Sequence, residues 1–244
     1  IQEQNSYPGI TNKLLAKSVQ KICVAYDNME RFFPKEKLVF TGNPIRKEIL
    51  NSSNKREEGK NFFKLHNRRI TVLVVGGSLG AKTINESINN NLGEFKKNKL
   101  NLIWQTGVSY ENQSKESVKN INVSGIQSYK LIKEMDLAYA AADIIVSRAG
   151  AIAISELCFV GKPVILVPSP NVAEDHQTQN AQSLVNKNSA LMVKDVESRL
   201  KLVEKIKSLS ENKDLQEELS RNIKKLEVKD AADRIADLSL ELVK

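Results

Sequence analysis

Cysteine, histidine and tryptophan are all scarce in this 244-residue sequence, at two, two and one residues. Cys23 and Cys158 lie far apart in apolar stretches, which excludes a cysteine-rich metal module and a disulfide framework. They read as reduced core thiols of a cytoplasmic protein. His176 has no serine, cysteine or second histidine at useful spacing, so neither a catalytic triad nor a histidine metal site is expected. His66, in a polar stretch, reads as incidental surface. Aromatic residues make up only 5%, and no arginine-rich run accompanies them, so the net charge of +8 does not point to nucleic acid. The lysines are spread over polar stretches such as 96–99, 201–207 and 221–229. They read as solvated helix faces, with contact to an anionic membrane surface as a modest addition.

Long apolar runs are also missing. "ITVLVV" (70–75) and "PVILVP" (163–168) are strand-length, far short of the roughly 20 residues that cross a bilayer as a helix. The chain opens on Ile1 rather than Met and reads as a fragment or processed product, so missing targeting signals exclude nothing.

What is present is alternation. Strand-like runs occur at 21–26, 70–75, 101–105, 121–124, 143–147, 163–168 and 190–193, and helical patterns at 80–91, 131–142, 151–160, 175–187 and 196–208. Short apolar strands between amphipathic helices imply a doubly wound α/β fold with a parallel sheet covered on both faces. Residues 51–60 are polar and aperiodic, a loop or a ragged helix start. The ends fit less well. Residues 1–36 hold one helix and one strand, too little for a domain. Residues 230–243 place Ala231, Ile235, Leu238 and Leu242 on one helical face that needs a partner. Both ends read as pieces of a second domain.

Ligands in such sheets sit at the carboxyl ends of the strands, and four stretches fall there. In "GGSLGA" (76–81), Gly76 and Gly77 allow close backbone approach, and Ser78 is placed to cap a helix starting near Leu79. The spacing is G-G-x-x-G, with no acidic residue after the next strand, so a dinucleotide fingerprint is disfavoured and a P-loop is excluded. In "SRAGAIAISE" (147–156), Gly150 opens a helix whose N-terminus suits phosphate. Glu156 can reach back to ligand hydroxyls such as those of a ribose; the bland alternative is an exposed helix glutamate. "EDHQTQNAQSL" (174–184) crowds neutral hydrogen-bonding groups at a helix start, suited to sugar hydroxyls. "TGNPIR" (41–46) brings Arg46 to the mouth of the sheet, where an arginine suits a pyrophosphate.

Together with "QEQNSYPG" (2–9), these stretches, in this order, resemble the MurG family of N-acetylglucosaminyltransferases of peptidoglycan synthesis, over about residues 2–190. The resemblance implies a two-domain GT-B fold: 1–36 as the end of the N-terminal acceptor domain, 37–225 as the UDP-sugar-binding domain, and 226–244 as a helix returning to the N-terminal domain. It implies inverting transfer of N-acetylglucosamine from UDP to the membrane acceptor lipid I, giving lipid II. The setting implied is peripheral, at the cytoplasmic face of the bacterial inner membrane.

The roles implied, position by position, are as follows. Asn5 faces the donor sugar, and Arg46 and Ser78 hold the pyrophosphate. Ile132 offers backbone hydrogen bonds to uracil, while Ala149, Gly150, Ala151 and Ile152 form the loop and helix start around the nucleotide. Glu156 binds the ribose, Gln177 binds the sugar hydroxyls, and Glu3 arranges the acceptor side as the one catalytic candidate. No cofactor beyond the UDP-sugar substrate and no metal are implied; no Asp-x-Asp motif appears. Two positions depart from the family: Gln2 stands where many members carry histidine, and Ala153 where many carry threonine. The family's first glycine-rich loop and its histidine, the usual base candidate, do not occur in this sequence. The alternatives are another GT-B enzyme, such as a UDP-N-acetylglucosamine epimerase, and a non-catalytic UDP-sugar-binding module.

Overall fold

The computed structural model describes residues 1–52 and 54–243, Ala173 by its backbone alone. Two parallel sheets organise the chain. The smaller runs β1 (Gln2–Glu3), β2 (Ile22–Val24), β3 (Leu38–Phe40), with α1 (Ile10–Leu15) between its first two strands. Residues 1–36 therefore carry two strands rather than the one expected, and the sheet takes its third strand from residues just beyond them. Its core is Ala16, Ile22, Val24, Met29 and Phe33.

The larger sheet uses β4 (Thr71–Val75), β5 (Asn101–Gln105), β6 (Ile126–Tyr129), β7 (Ile144–Ser147), β8 (Val164–Leu166) and β9 (Leu191–Met192). All are parallel, in the order β6-β5-β4-β7-β8-β9. The order reverses between β4 and β7, which makes their carboxyl ends the topological switch point. The doubly wound reading holds.

Alternation along the strands builds two cores. Val72, Val74, Leu102, Trp104, Ile144, Val146 and Ile165 face one layer, with Ile84 and Ile88 of α4 (Lys82–Asn90), Phe95 of α5 (Leu92–Lys97) and Leu202, Val203, Ile206 and Leu209 of α10 (Ser198–Glu211). Leu73, Ile103, Ile145, Val164 and Leu166 face the other. That layer holds α7 (Met135–Ala141), α8 (Ala151–Val160) and α9 (His176–Val185), with Ile49 of α2 (Lys47–Leu50). Each fully buried aliphatic side chain contributes about 1.5–3 kcal/mol. The one tryptophan fits because its indole has a partner: Trp104 Nε1 donates to Asn85 Oδ1 at 3.0 Å.

Several boundaries differ from expectation for local reasons. The strand expected at 121–124 forms at 126–129 instead. There α6 (Glu111–Ile121) runs on to Ile121, Asn122 caps it in the left-handed region, and Gly125 (φ +88°) turns the chain into β6. The polar stretch 51–60 enters α3 (Arg56–Phe62). The expected helix over 80–91 starts at Lys82, with Ala81 as its N-cap, so Ser78 does not cap it. A further helix, α11 (Lys213–Lys224), precedes α12 (Ala231–Glu241). On α12, Ala231 is buried, and Ile235 and Leu238, with Leu242 just past the helix, line a cleft with Ile1, Gln2 and Cys23 of the small unit.

The chain passes between the two units at 41–46 and again after α11. These passages touch: Gly42 (φ +76°) lies so close to Val228 that a Cβ there would meet its side chain at 2.8 Å. A cavity of about 310 Å³ lies beside this contact, lined among others by Tyr26, Phe40, Cys158 and Leu226. Burial pushes the Cys158 thiol up to about 12. Among the described residues, no helix is long and apolar enough to cross a membrane.

Candidate functional site

Helix α8 starts at the switch point. Its N-cap, Gly150, has no side chain to satisfy the first amides, and a Cβ at Gly150 would meet nothing within 4 Å. The helix therefore presents free N–H groups, and its positive dipole end, to open space. Ala149 is buried, while Ala151 and Ile152 are half-buried along this entrance.

One turn on, Glu156 is buried, which excludes the exposed-glutamate alternative. Arg46 grips it from the other passage: Nε donates to Oε1 at 2.7 Å and Nη2 to Oε2 at 2.8 Å. Tyr139 Oη donates to Oε2 at 3.2 Å. The side chain of Arg46 is 49% exposed and that of Glu156 only 4%, so the pair joins a half-exposed cation to a buried carboxylate. Its hydrogen bond to Glu156 holds the Arg46 pKa above its usual value, although burial opposes this. Burial, then the charge of Glu156, raises that of Tyr139.

A second cluster closes the other side of the α8 entrance. Gln177 Oε1 accepts from Ala149 N at 3.1 Å and Ser169 N at 2.9 Å, tying the β7 and β8 loops together. Asn180, fully buried, accepts from Ser6 N at 2.8 Å through Oδ1; its Nδ2 donates to Asn5 Oδ1 at 3.0 Å and Ala149 O at 3.3 Å. Asn5 of the small unit is thereby brought to the switch point. Glu3 lies behind it with both oxygens engaged. Oε1 accepts from Asn5 N and Nδ2, and Oε2 from Gly9 N and Asn12 Nδ2. Ahead of α9, Glu174 and Asp175 both adopt left-handed backbone (φ 51° and 52°), which costs roughly 1–2 kcal/mol each. Such strain concentrates where a loop is shaped for a ligand.

The glycine turn divides its labour. A Cβ at Gly80 would collide with Thr106 O, and one at Gly107 with Gly80 N, so these two glycines serve loop-to-loop packing. Gly77 (φ +82°) has nothing within 4 Å and leaves its backbone approachable. Ser78 is exposed; its carbonyl accepts from Val108 N at 3.3 Å. Ile132 is buried, and its N–H donates to Gln105 Oε1 at 2.9 Å, so that amide already has a partner.

Arg46 with Glu156, and Gln177 with Ala149 and Asn5, are thus gathered around the α8 N-terminus. Ser78 and Ile132 stand on neighbouring loops and Glu3 behind the small-unit loop. Sequence reasoning passed over Tyr139, Asn180 and the bridge of Arg148 to Asp195, Val167 O and Pro168 O. Arg148 and Asn180 lay inside stretches already singled out for their position, whereas Tyr139 sits in an ordinary helical pattern. Among the described residues, no group of three or more His, Cys, Asp or Glu converges.

Residues 71–235 match the model of the family described as glycosyltransferase family 28 C-terminal domain. Curated relatives share about half their residues with this chain. A UDP-N-acetylglucosamine--N-acetylmuramyl-(pentapeptide) pyrophosphoryl-undecaprenol N-acetylglucosamine transferase of Parabacteroides distasonis is 50% identical over the whole chain and 66% of its own length. One of the same name from Flavobacterium psychrophilum is 49% identical over 65% of its length. The chain thus spans just under two thirds of these relatives. The crystal structure of Acinetobacter baumannii MurG superposes with a TM-score of 0.79 at 28% identity, covering 98% of this chain and 65% of that one. A UDP-GlcNAc 2-epimerase from Neisseria meningitidis, at 17% identity and a TM-score of 0.66 over 97% of this chain and 65% of its own, shares the fold alone. The resemblance read from the ordered motifs is borne out, and with it the GT-B fold. This chain belongs to glycosyltransferase family 28, whose C-terminal domain it carries over residues 71–235.

Proposed function

We propose that this chain forms the donor side of an inverting glycosyltransferase that moves N-acetylglucosamine from UDP-N-acetylglucosamine to lipid I, giving lipid II for the cell wall. The observation that carries the reading is the Arg46–Glu156 pair beside the uncapped N-terminus of α8. In this reading residues 1–36 end the acceptor domain together with β3, which the small sheet takes from beyond the expected boundary at 36; the rest of 37–225 binds the donor, and 226–244 return to the acceptor domain. The enzyme works as a peripheral protein on the anionic cytoplasmic face of the inner membrane, with neither cofactor nor nucleic acid as partner.

Transfer requires charge relief on the departing UDP. The vicinal hydroxyls of a ribose present two donors to Glu156, replacing those of Arg46. Arg46, half-exposed and on a long stem, then turns to the pyrophosphate, where its fork matches two phosphate oxygens. The α8 amides at Ala151 and Ile152 and the approachable backbone at Gly77 and Ser78 complete the clamp. Uracil binds the 132 loop through the carbonyl of Ile132 and through its amide once Gln105 yields. Gln177 and Asn5 address the sugar. Glu3, with four N–H donors on its carboxylate, positions the Asn5 loop rather than taking a proton.

Calorimetry tests the donor side directly. The folded chain should bind UDP and UDP-N-acetylglucosamine while making negligible lipid II alone. A folded sample that ignores UDP would sink the donor reading, and robust lipid II synthesis by the isolated chain would sink the division of labour.

A further inference from the structure

Five buried side-chain polar atoms lack a hydrogen-bond partner among the described residues. Three of them, on Ser6, Tyr26 and Glu227, line the seam between the small unit and the large one. Folded proteins leave few such groups, and each calls for a reason. Here all three lie on cavity walls. The cavity of about 310 Å³ beside Gly42 and Val228 holds Tyr26 and Glu227. A second, of about 210 Å³, shares Tyr26 and Lys187 with it and adds Ser6.

The larger cavity is separate from the donor entrance. Ile154 and Cys158, one turn apart, wall it from one face of α8. Glu156 lies midway between them in sequence and so on the opposite side of the helix, where it meets Arg46. The small unit supplies Tyr26 and Phe40 from across the seam, and α9 supplies Leu184.

Shape and charge define the occupant. The volume sits at the lower end of the range for ligand pockets, room for one ring with a short substituent. Two lysines and two carboxylates line it, Lys187, Lys225, Asp27 and Glu227, so the lining carries no net charge. Lys187 already pairs with Asp27, and Glu227 has Lys224 and Lys229 at 3.1 and 3.5 Å. A charged ligand would give up its hydration without gaining a free counter-ion. Tyr26 offers the polar contact. Burial raises its pKa, with the Cys158 thiol adding to the effect, so the hydroxyl stays a donor.

We propose that this seam cavity binds an uncharged amphipathic molecule, a ring bearing a carbonyl that accepts from Tyr26 Oη, and that the occupant braces the two units in the arrangement seen here. UDP plays no part in the test, so the site stands or falls apart from the donor reading.

The probe is 4-fluorobenzamide, with 4-fluorobenzoate and 4-fluorobenzylamine as charged counterparts of the same size, each followed by fluorine NMR on this chain. The amide should bind with a Kd of roughly millimolar order, as suits about ten heavy atoms. Either charged counterpart should bind about fivefold or more weakly. Tyr26→Phe should weaken the amide about three- to tenfold, the loss of one neutral hydrogen bond. It should cost no stability in urea, because the hydroxyl has no protein partner to lose. Ala25→Leu, which pushes a larger side chain in from the cavity wall, should abolish binding. Should Ala25→Leu not fold, Tyr26→Phe decides. With the amide at roughly three times its Kd, the Ser6 N–H, which crosses the seam to Asn180 Oδ1, should exchange about fourfold more slowly. No binding of the amide, equal binding of a charged counterpart, or undiminished binding by Tyr26→Phe or folded Ala25→Leu overturns the site. So does a destabilised Tyr26→Phe. An unchanged Ser6 exchange rate overturns the bracing.

Discussion

Arg46 and Glu156, 110 residues apart, meet in a two-point ion pair at 2.7 and 2.8 Å, with Tyr139 as a third donor to the carboxylate. The pair is asymmetric, because only the carboxylate is buried. Removing the cation strands a buried charge, whereas neutralising the carboxylate leaves a half-exposed arginine that water can serve. Arg46→Ala should therefore cost about 2–3 kcal/mol of stability, after discounting for the exposure of Arg46. Glu156→Gln should cost about 1 kcal/mol. Urea denaturation gives the order, and Glu156→Gln proving the more damaging would contradict it. On the proposed function, Glu156→Gln also weakens UDP by about 1–3 kcal/mol.

Glycine substitutions separate folding from ligand space. Gly80→Ala forces a Cβ onto Thr106 O in a left-handed backbone and should cost about 2 kcal/mol or more in thermal or urea unfolding. Gly150→Ala has ordinary backbone and an open site, so stability should change by less than about 1 kcal/mol. Yet its methyl group projects where the phosphate is proposed to sit, and UDP affinity should fall severalfold. Unchanged UDP affinity in Gly150→Ala would move the phosphate away from the α8 entrance.

Gln177 holds two loop amides through one oxygen, so Gln177→Ala should lower stability by about 1–2 kcal/mol, as two acceptor bonds are lost. Gln177→Glu keeps the acceptor and should recover most of that loss. For ligands, Gln177→Ala should weaken UDP-N-acetylglucosamine more than UDP in calorimetry on a protein restored to the full length of its relatives. Equal weakening would leave Gln177 with the loop-tying role alone.

The thiol of Cys158 sets a limit at high pH. Burial raises it from its ordinary 9.0 to about 12, so the unfolded chain releases this proton first as pH rises. Stability from this source is complete below about pH 9 and is lost progressively toward pH 12, reaching about 2 kcal/mol by roughly pH 10.5. Wild type should thus lose stability faster than Cys158→Ala across that window in pH-dependent urea titrations. Parallel curves would show that the thiol does not ionise differently on unfolding. Iodoacetamide should also label native Cys158 far more slowly than the denatured chain.

Much of this was legible in the residues. Runs such as 101–105 and 151–160 carry their own period and bounding residues, and both elements formed where expected. The strand near 121–124 was misplaced because Ile121 and Val123 are apolar for another reason. They close the core beside α6, and the turn chemistry of Asn122 and Gly125 decides where β6 starts. At the site, single positions such as Glu156 and Gln177 could be singled out because helix starts advertise their polarity. Pairing could not be. Arg46 meeting Glu156, and Asn5 meeting Asn180, depend on chain separations of 110 and 175 residues, over which no local pattern carries information. Tyr139 was invisible for the same reason, its hydroxyl acquiring a role only once α7 and α8 lie side by side.

The contact of Gly42 with Val228 has a mechanical consequence. The chain joins the two units by two passages, and these touch each other, so together they act as one pin rather than as two separated straps. Two bodies held by a single pin can swing but not slide, and displacement grows with distance from it. Atoms beside the pin keep their neighbours through any such swing. The bonds of Ser6 and Asn5 to Asn180, and that of Lys187 to Asp27, join the units apart from these passages, so they are clasps that must part before the cleft can widen.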